Sequence, residues 1–232
     1  LALIIDGSDM KLLFLRGLIT ACCLAVGVGH AQPDFNTGRG MPRPYQPASG
    51  EKILVLGDSL SASYGLAQSS GWVSLLQQRL AAEKFPHQVI NASISGETTS
   101  GGLYRIDALI KSHQPQVVIL ALGANDGLRG LSLEATQSNL EAMIRRAKKS
   151  RAQVLLIGMR LPPNYGPAYT EKFHRLYEQL ALKYRAKRVP FLLAPIAGKR
   201  EYFQADGLHP TAEAQPLLLD TVWPVLMPML RP

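Results

Sequence analysis

The sequence predicts an α/β domain built on a five-stranded parallel sheet with helices on both faces. Three observations carry that prediction. From residue 52 onward, short apolar runs alternate with longer segments of helical periodicity. One of those runs, Val117–Leu122, is apolar throughout, as expected for a strand covered on both faces. Small and polar residues able to do chemistry follow several of the runs, at the strand ends where an open parallel sheet binds ligands.

Taken in order, Ile53–Leu56 reads as the first strand, with Gly57-Asp58-Ser59-Leu60 as the turn at its end. Trp72–Lys84 reads as a helix, with Trp72, Leu75, Leu76 and Leu80 on one stripe. Gln88–Ala92 is the second strand, and Gly102–Ser112 a helix with Leu103, Ile106, Leu109 and Ile110 apolar. Val117–Leu122 is the third strand. Leu133–Lys149 is a helix with Leu140, Met143 and Ile144 inward. Gln153–Ile157 is the fourth strand, and Ala168–Tyr184 a helix carrying Phe173, Leu176 and Leu180. Val189–Leu193 is the last strand. Thr211–Met227 begins a final helix that Pro216 and Pro224 should bend or break. The expected strand order is 2-1-3-4-5, the flavodoxin-like arrangement. There is no internal repeat.

The chain has 232 residues, 47% hydrophobic and 18% charged, which suits one domain with a sizeable core. No window is apolar for long enough to be an internal transmembrane helix. Met10-Lys11, Arg16, the apolar Leu18–Val28 and then Gly29-His30-Ala31 read as a secretory signal cleaved before Gln32. Residues 1–9 read as an extension ahead of that start. Residues 32–50, rich in Pro and Gly, read as a flexible linker. The expected organisation is therefore an extension and signal peptide over 1–31, a linker over 32–50 and a folded domain over 51–232. The expected location is periplasmic or secreted.

Cys22 and Cys23 both fall in the signal, so a chain starting at Gln32 has no thiol for disulfides, catalysis or metal. Ile19-Thr20-Ala21-Cys22 also bears some likeness to a lipid-attachment site, but the apolar run between Arg16 and Cys22 is short for one. Net charge is +8, and because Asp6, Asp9, Lys11 and Arg16 cancel, the chain from Gln32 keeps all of it. The cations cluster at 145–151 and 183–188, near predicted helix ends where the dipole favours them. A solvated face is the simpler account, and a basic face for anionic lipid or substrate the alternative. No motif for nucleic acid, no metal-ligand spacing and no dinucleotide fingerprint is present, so neither metal nor cofactor is expected.

The strand ends supply complementary groups. After the first strand comes Ser59, and after the second comes Asn91-Ala92-Ser93-Ile94-Ser95-Gly96. After the third comes Gly123-Ala124-Asn125-Asp126, and after the last comes Asp206-Gly207-Leu208-His209-Pro210. A serine hydroxyl is a poor nucleophile until a base takes its proton. His209 is the candidate base, and Asp206 is spaced to hold the other ring nitrogen. The backbone N–H groups of Ser59 and Gly96 and the Asn125 amide are candidate donors to an oxyanion. Singly, each has a structural account. Asp206 to Pro210 can open a helix, Asn125-Asp126-Gly127 can be a turn, and Gly96 a turn glycine. Jointly they are the parts that acyl transfer needs.

These blocks resemble those of the SGNH (GDSL) hydrolase superfamily: Gly57-Asp58-Ser59-Leu60, Gly96, Gly123-x-Asn125-Asp126 and Asp206-x-x-His209. Within it the chain resembles the bacterial thioesterase I/protease I/lysophospholipase L1 group and the neighbouring arylesterases. That likeness rests on Asn91–Gly96, on Asn125-Asp126-Gly127-Leu128-Arg129-Gly130 and on Leu161-Pro162-Pro163-Asn164-Tyr165-Gly166. It extends over about residues 52–230. The resemblance implies a three-layer α/β/α fold, a Ser59–Asp206–His209 triad and an oxyanion hole of Ser59, Gly96 and Asn125. It also implies no cofactor and an exported location.

The expected substrate is a small acyl ester or thioester, its acyl chain held in an apolar groove by Asp126, Leu128, Pro163 and Tyr165. The expected state is a monomer with at most transient lipid contact and no nucleic-acid partner. Two departures from the group stand out, Ala124 where Gly is usual and Glu97 where Asp is usual, and they bear on acyl-chain preference. A carbohydrate or short-chain deacetylase of the same superfamily is the alternative. A non-catalytic acyl binder is less favoured, because every triad and oxyanion residue is present.

Overall fold

The computed structural model describes residues 51–231. Its five strands are β1 (Lys52–Gly57), β2 (Gln88–Asn91), β3 (Val117–Ala121), β4 (Gln153–Ile157) and β5 (Lys187–Val189). They form one parallel sheet in the order β2-β1-β3-β4-β5, as expected. Six helices connect and cover them: α1 (Trp72–Ala82), α2 (Thr99–His113), the short α3 (Ala124–Leu128), α4 (Leu133–Lys149), α5 (Pro167–Tyr184) and α6 (Gln215–Leu226). Helices α1 and α6 pack together on one side; α2, α4 and α5 pack in a row on the other. The signal and linker lie outside the described residues.

Periodicity accounts for the core. Ile53–Leu56 of β1 and Val117–Ala121 of β3 are buried along their length, because helices cover both faces. Onto them α4 turns Leu140, Met143, Ile144 and Ala147, and α5 turns Phe173, Leu176 and Leu180. Ser132 caps α4 by accepting the Ala135 N–H at 3.1 Å, and Thr98 caps α2 through the Gly101 N–H at 3.4 Å. The Thr98 cap starts α2 at Thr99, three residues before the expected Gly102.

Two further boundaries differ from expectation at prolines. The last strand is Lys187–Val189, overlapping the expected Val189–Leu193 only at Val189, because Pro190 has no N–H to continue the ladder. Residues 191–193 leave the sheet instead. The final helix begins at Gln215, not Thr211, and is not broken. Pro216 lies in its first turn, where a missing N–H costs little. Pro224 is accommodated inside it, near the C-terminal end.

Asp58, the residue after β1, is almost wholly buried, and its Oδ1 accepts the Leu60 N–H at 3.1 Å. Burial pushes its carboxyl from 3.8 up to about 7, against the opposing pull of the Leu60 N–H. The unfolded carboxyl therefore releases its proton near 3.8 and the folded one near 7. Between those values the native state holds the extra proton, so this group's contribution falls as pH rises and levels off above about 7. The full shift corresponds to roughly 4 kcal/mol. Asp58→Asn keeps the carbonyl acceptor and cannot ionise. Denaturant melts from pH 4 to pH 8 should show the wild type losing stability with a slope that the variant lacks, by up to about 4 kcal/mol.

Candidate active site

Ser59 sits in the tight turn that β1 leaves at the carboxyl edge of the sheet. The Ser61 and Ala62 N–H groups both bond back to the Asp58 carbonyl, at 3.1 and 2.9 Å. The Tyr64 N–H bonds to the Ser59 carbonyl at 3.3 Å, and Asn91 at the end of β2 donates to the Ser61 carbonyl at 2.8 Å. The turn is thereby fixed from within and from the neighbouring strand. The Ser59 Oγ lies 2.8 Å from His209 Nε2.

His209 arrives from the other end of the chain on a loop after β5. His209 Nδ1 lies 2.6 Å from Asp206 Oδ2, while Asp206 Oδ1 accepts the Leu208 and His209 N–H groups at 2.9 and 3.0 Å. The backbone donor at His209, the ring N–H and the Leu208 N–H hold the Asp206 carboxyl down at about 2, so it stays charged. The Tyr64 ring leans on the imidazole, centroid to centroid 4.3 Å. Arg200 secures the loop by donating to the Phe203, Gln204 and Ala205 carbonyls at 2.7, 2.8 and 3.1 Å. Gln204 ties the same loop to the Ser59 turn through the Tyr64 carbonyl at 2.9 Å.

A third segment joins these two. Gly123, at φ +114°, turns β3 into α3, and a Cβ there would stand 2.3 Å from the Tyr177 Oη. Helix α3 then fastens the loop after β2 with three side chains. Asn125 Nδ2 donates to the Glu97 carbonyl at 3.0 Å. The buried Asp126 carboxylate accepts the Thr99 N–H at 2.9 Å and the Thr99 hydroxyl at 2.5 Å. Arg129, just beyond α3, donates to the Gly96 carbonyl at 3.1 Å. Gly96 adopts φ +79°, which side chains disfavour. Among the described residues, no protein acceptor pairs the N–H of Ser59 or Gly96. The Asn125 amide has a second hydrogen beyond the one given to Glu97.

A cleft of about 440 Å³ opens beside Ser59, Asn125 and His209. Leu128, Leu161 and Pro163 form one wall. Phe191, Leu193, Phe203 and Leu208 form another that sequence reasoning did not anticipate. Its signal was available: Phe191 and Leu193 immediately follow a strand, as the other site residues do, but were read as part of it. Of the four residues expected in the groove, Leu128 and Pro163 line it; Asp126 and Tyr165 do not. Asp126 is consumed by Thr99. Tyr165 stands behind α3, its hydroxyl donating to the Leu128 carbonyl at 3.0 Å. The sequence reading also passed over Arg129, Thr99 and Tyr64, whose roles depend on contacts between distant segments.

A hydroxyl paired to an imidazole, that imidazole paired to a carboxylate, unpaired N–H groups nearby and an apolar cleft form a set suited to attack on an acyl carbonyl. Known proteins agree with that chemistry. Residues 55–216 match the GDSL-like lipase/acylhydrolase family. The chain is 49% identical to esterase TesA of Pseudomonas aeruginosa over 185 residues, 80% of this chain and 92% of that one. It is 39% identical to thioesterase 1/protease 1/lysophospholipase L1 of Escherichia coli K12 over 187 residues, 81% and 88% of the two chains. Its fold matches the psychrotrophic esterase EstA of Pseudoalteromonas sp., solved inhibited by monoethylphosphonate, with TM-score 0.74 and 43% identity over 78% of this chain and 98% of that one. The chain belongs to the GDSL-like lipase/acylhydrolase family.

Proposed function

We propose that this protein hydrolyses carboxylic esters and thioesters through an acyl-enzyme on Ser59. The observation that carries the reading is the continuous relay from the Ser59 Oγ through His209 to Asp206, at 2.8 and 2.6 Å. His209 Nε2 takes the Ser59 proton as the Oγ attacks the carbonyl carbon. Asp206 fixes the ring tautomer and stabilises the imidazolium. Negative charge gathering on the carbonyl oxygen is met by the N–H groups of Ser59 and Gly96 and by the Asn125 amide. Collapse expels the alcohol or thiol, which takes its proton from His209. Water then repeats the sequence with His209 as base and releases the carboxylic acid.

The acyl group occupies the apolar cleft between Leu128 and Pro163 on one side and Phe191 and Leu208 on the other. Aryl esters, acyl-CoA and lysophospholipid-type substrates are the expected classes, in line with the names of the relatives. A deacetylase is the second reading. The cleft volume of about 440 Å³ favours the first, since an acetyl group would leave most of it empty. The reading extends to export through the signal at Met10–Ala31, to a periplasmic or secreted monomer and to transient contact with lipid.

The test is steady-state hydrolysis of p-nitrophenyl esters from acetate to palmitate, alongside acyl-CoA thioesters. Activity on both classes, reaching medium or long chains, is expected. Confinement to acetate would move the assignment to a deacetylase. Ser59→Ala should lose on the order of 10⁶ in kcat, and wild-type turnover in that variant would overturn the mechanism. Asn125→Ala should lose roughly 10²–10³ in kcat. Arg129→Ala frees the Gly96 carbonyl and should lower kcat up to about tenfold, with KM changed less.

A further inference from the structure

Parallel strands run toward the active-site edge and the helices between them run back. Every long helix therefore ends at the opposite edge, where the strands begin. Cations are favoured in the last turn of a helix, and this topology adds those local preferences together. Helix α4 ends in Lys148 and Lys149, followed by Arg151. Helix α5 is followed by Arg185, and β5 opens with Lys187. All five are exposed, and none has a carboxylate partner among the described residues. Lys111 of α2 and Lys84 after α1 extend the same edge. The exposed carboxylates there are Glu51, bonded to His87, Glu83, and Glu178, paired to Arg188 at 3.5 Å. Glu97, Asp126 and Asp206 lie at the active-site edge instead, where Arg129, Arg160 and Arg200 also stand.

The basic edge is also shaped. A cleft of about 360 Å³ between the end of α5 and β5 is lined by Leu182, Arg185, Lys187 and Arg188, with Glu178 as its one carboxylate. Arg188 Nη1 is buried there without an acceptor among the described residues. Leu182 projects at the rim, 74% exposed amid the cations. A second cleft, of about 530 Å³, joins Arg151 and Arg231 to Phe85 and Leu230.

We infer that this edge docks on an anionic lipid bilayer, with Leu182 entering the interface and the catalytic cleft facing away. Unpaired exposed cations are drawn to an anionic leaflet, and their attractions add when several share one plane. An apolar residue ringed by cations gains by entering lipid and gains nothing from a hydrated polyanion. This deepens the lipid contact proposed above. It does not depend on the serine chemistry.

The test is co-sedimentation of the full chain with vesicles of phosphatidylcholine alone and of phosphatidylcholine with phosphatidylglycerol. The apolar segment at 18–28 is common to all variants, so the readout is the difference between the two vesicle types. Phosphatidylglycerol should raise partitioning at least tenfold at low salt, and about 0.5 M salt should abolish the gain. The pair Lys148→Glu/Lys149→Glu should remove most of the gain. The milder pair Arg185→Gln/Lys187→Gln should lower it several-fold, as should Leu182→Ser. Lys172→Glu, exposed near the start of α5, should leave it unchanged. Ester turnover in free solution should be unchanged in every variant, which verifies folding and reads the catalytic proposal separately. Equal partitioning into both vesicle types would overturn the inference. So would full binding by the charge-altered pairs, an equal loss in Lys172→Glu, or retention on heparin without vesicle binding.

Discussion

The pairing of β1 with β3 is the constraint on which the site depends. Gly57 stands opposite Ala121 in the parallel register, so both strands end at one level. The Ser59 turn and α3 therefore leave the sheet side by side. A one-residue slip would rotate the strand faces and separate Ser59 from Asn125, which is why the buried runs of both strands specify the register so strongly. The hydrophobic core thus does more than hold the domain together. It sets the distance between Ser59 and Asn125.

His209 is positioned by different means. Its loop joins no main strand and touches the sheet only at second hand. Arg200 holds three of its carbonyls, and an isolated antiparallel bridge pairs Phe203 with Pro210. Asp206 closes the loop on itself through the Leu208 and His209 N–H groups. The carboxylate that orients the imidazole side chain also folds the backbone that carries it. Removing that carboxylate would disturb both.

Much of this was legible in the sequence, for physical reasons. Strong periodicity and continuous apolar runs identified four of the five strands and every long helix, since burial selects those patterns directly. Val189–Leu193 reads as a strand because a loop of Phe191, Leu192 and Leu193, half-buried at the cleft wall around the buried Leu192, is as apolar as one. The Asp206-x-x-His209 spacing was readable because it is local. The bonds from Asp126 to Thr99 and from Arg129 to Gly96 were not, because they join segments about thirty residues apart and leave no periodic trace. Asp126 looked like a ligand for substrate; in the fold its carboxylate is already occupied.

Helix α3 has one more consequence. Leu128 is part of the cleft wall, and its neighbour Arg129 holds the Gly96 carbonyl. Tyr165 and Tyr169 brace the same short segment from behind. The cleft wall and the side chain that holds the loop after β2 are therefore adjacent in the chain. Wall and loop are tied through one short segment, as two ends of a lever are. A substitution within Ala124–Arg129 therefore acts on the cleft wall and on the fastening of the Gly96 loop at once.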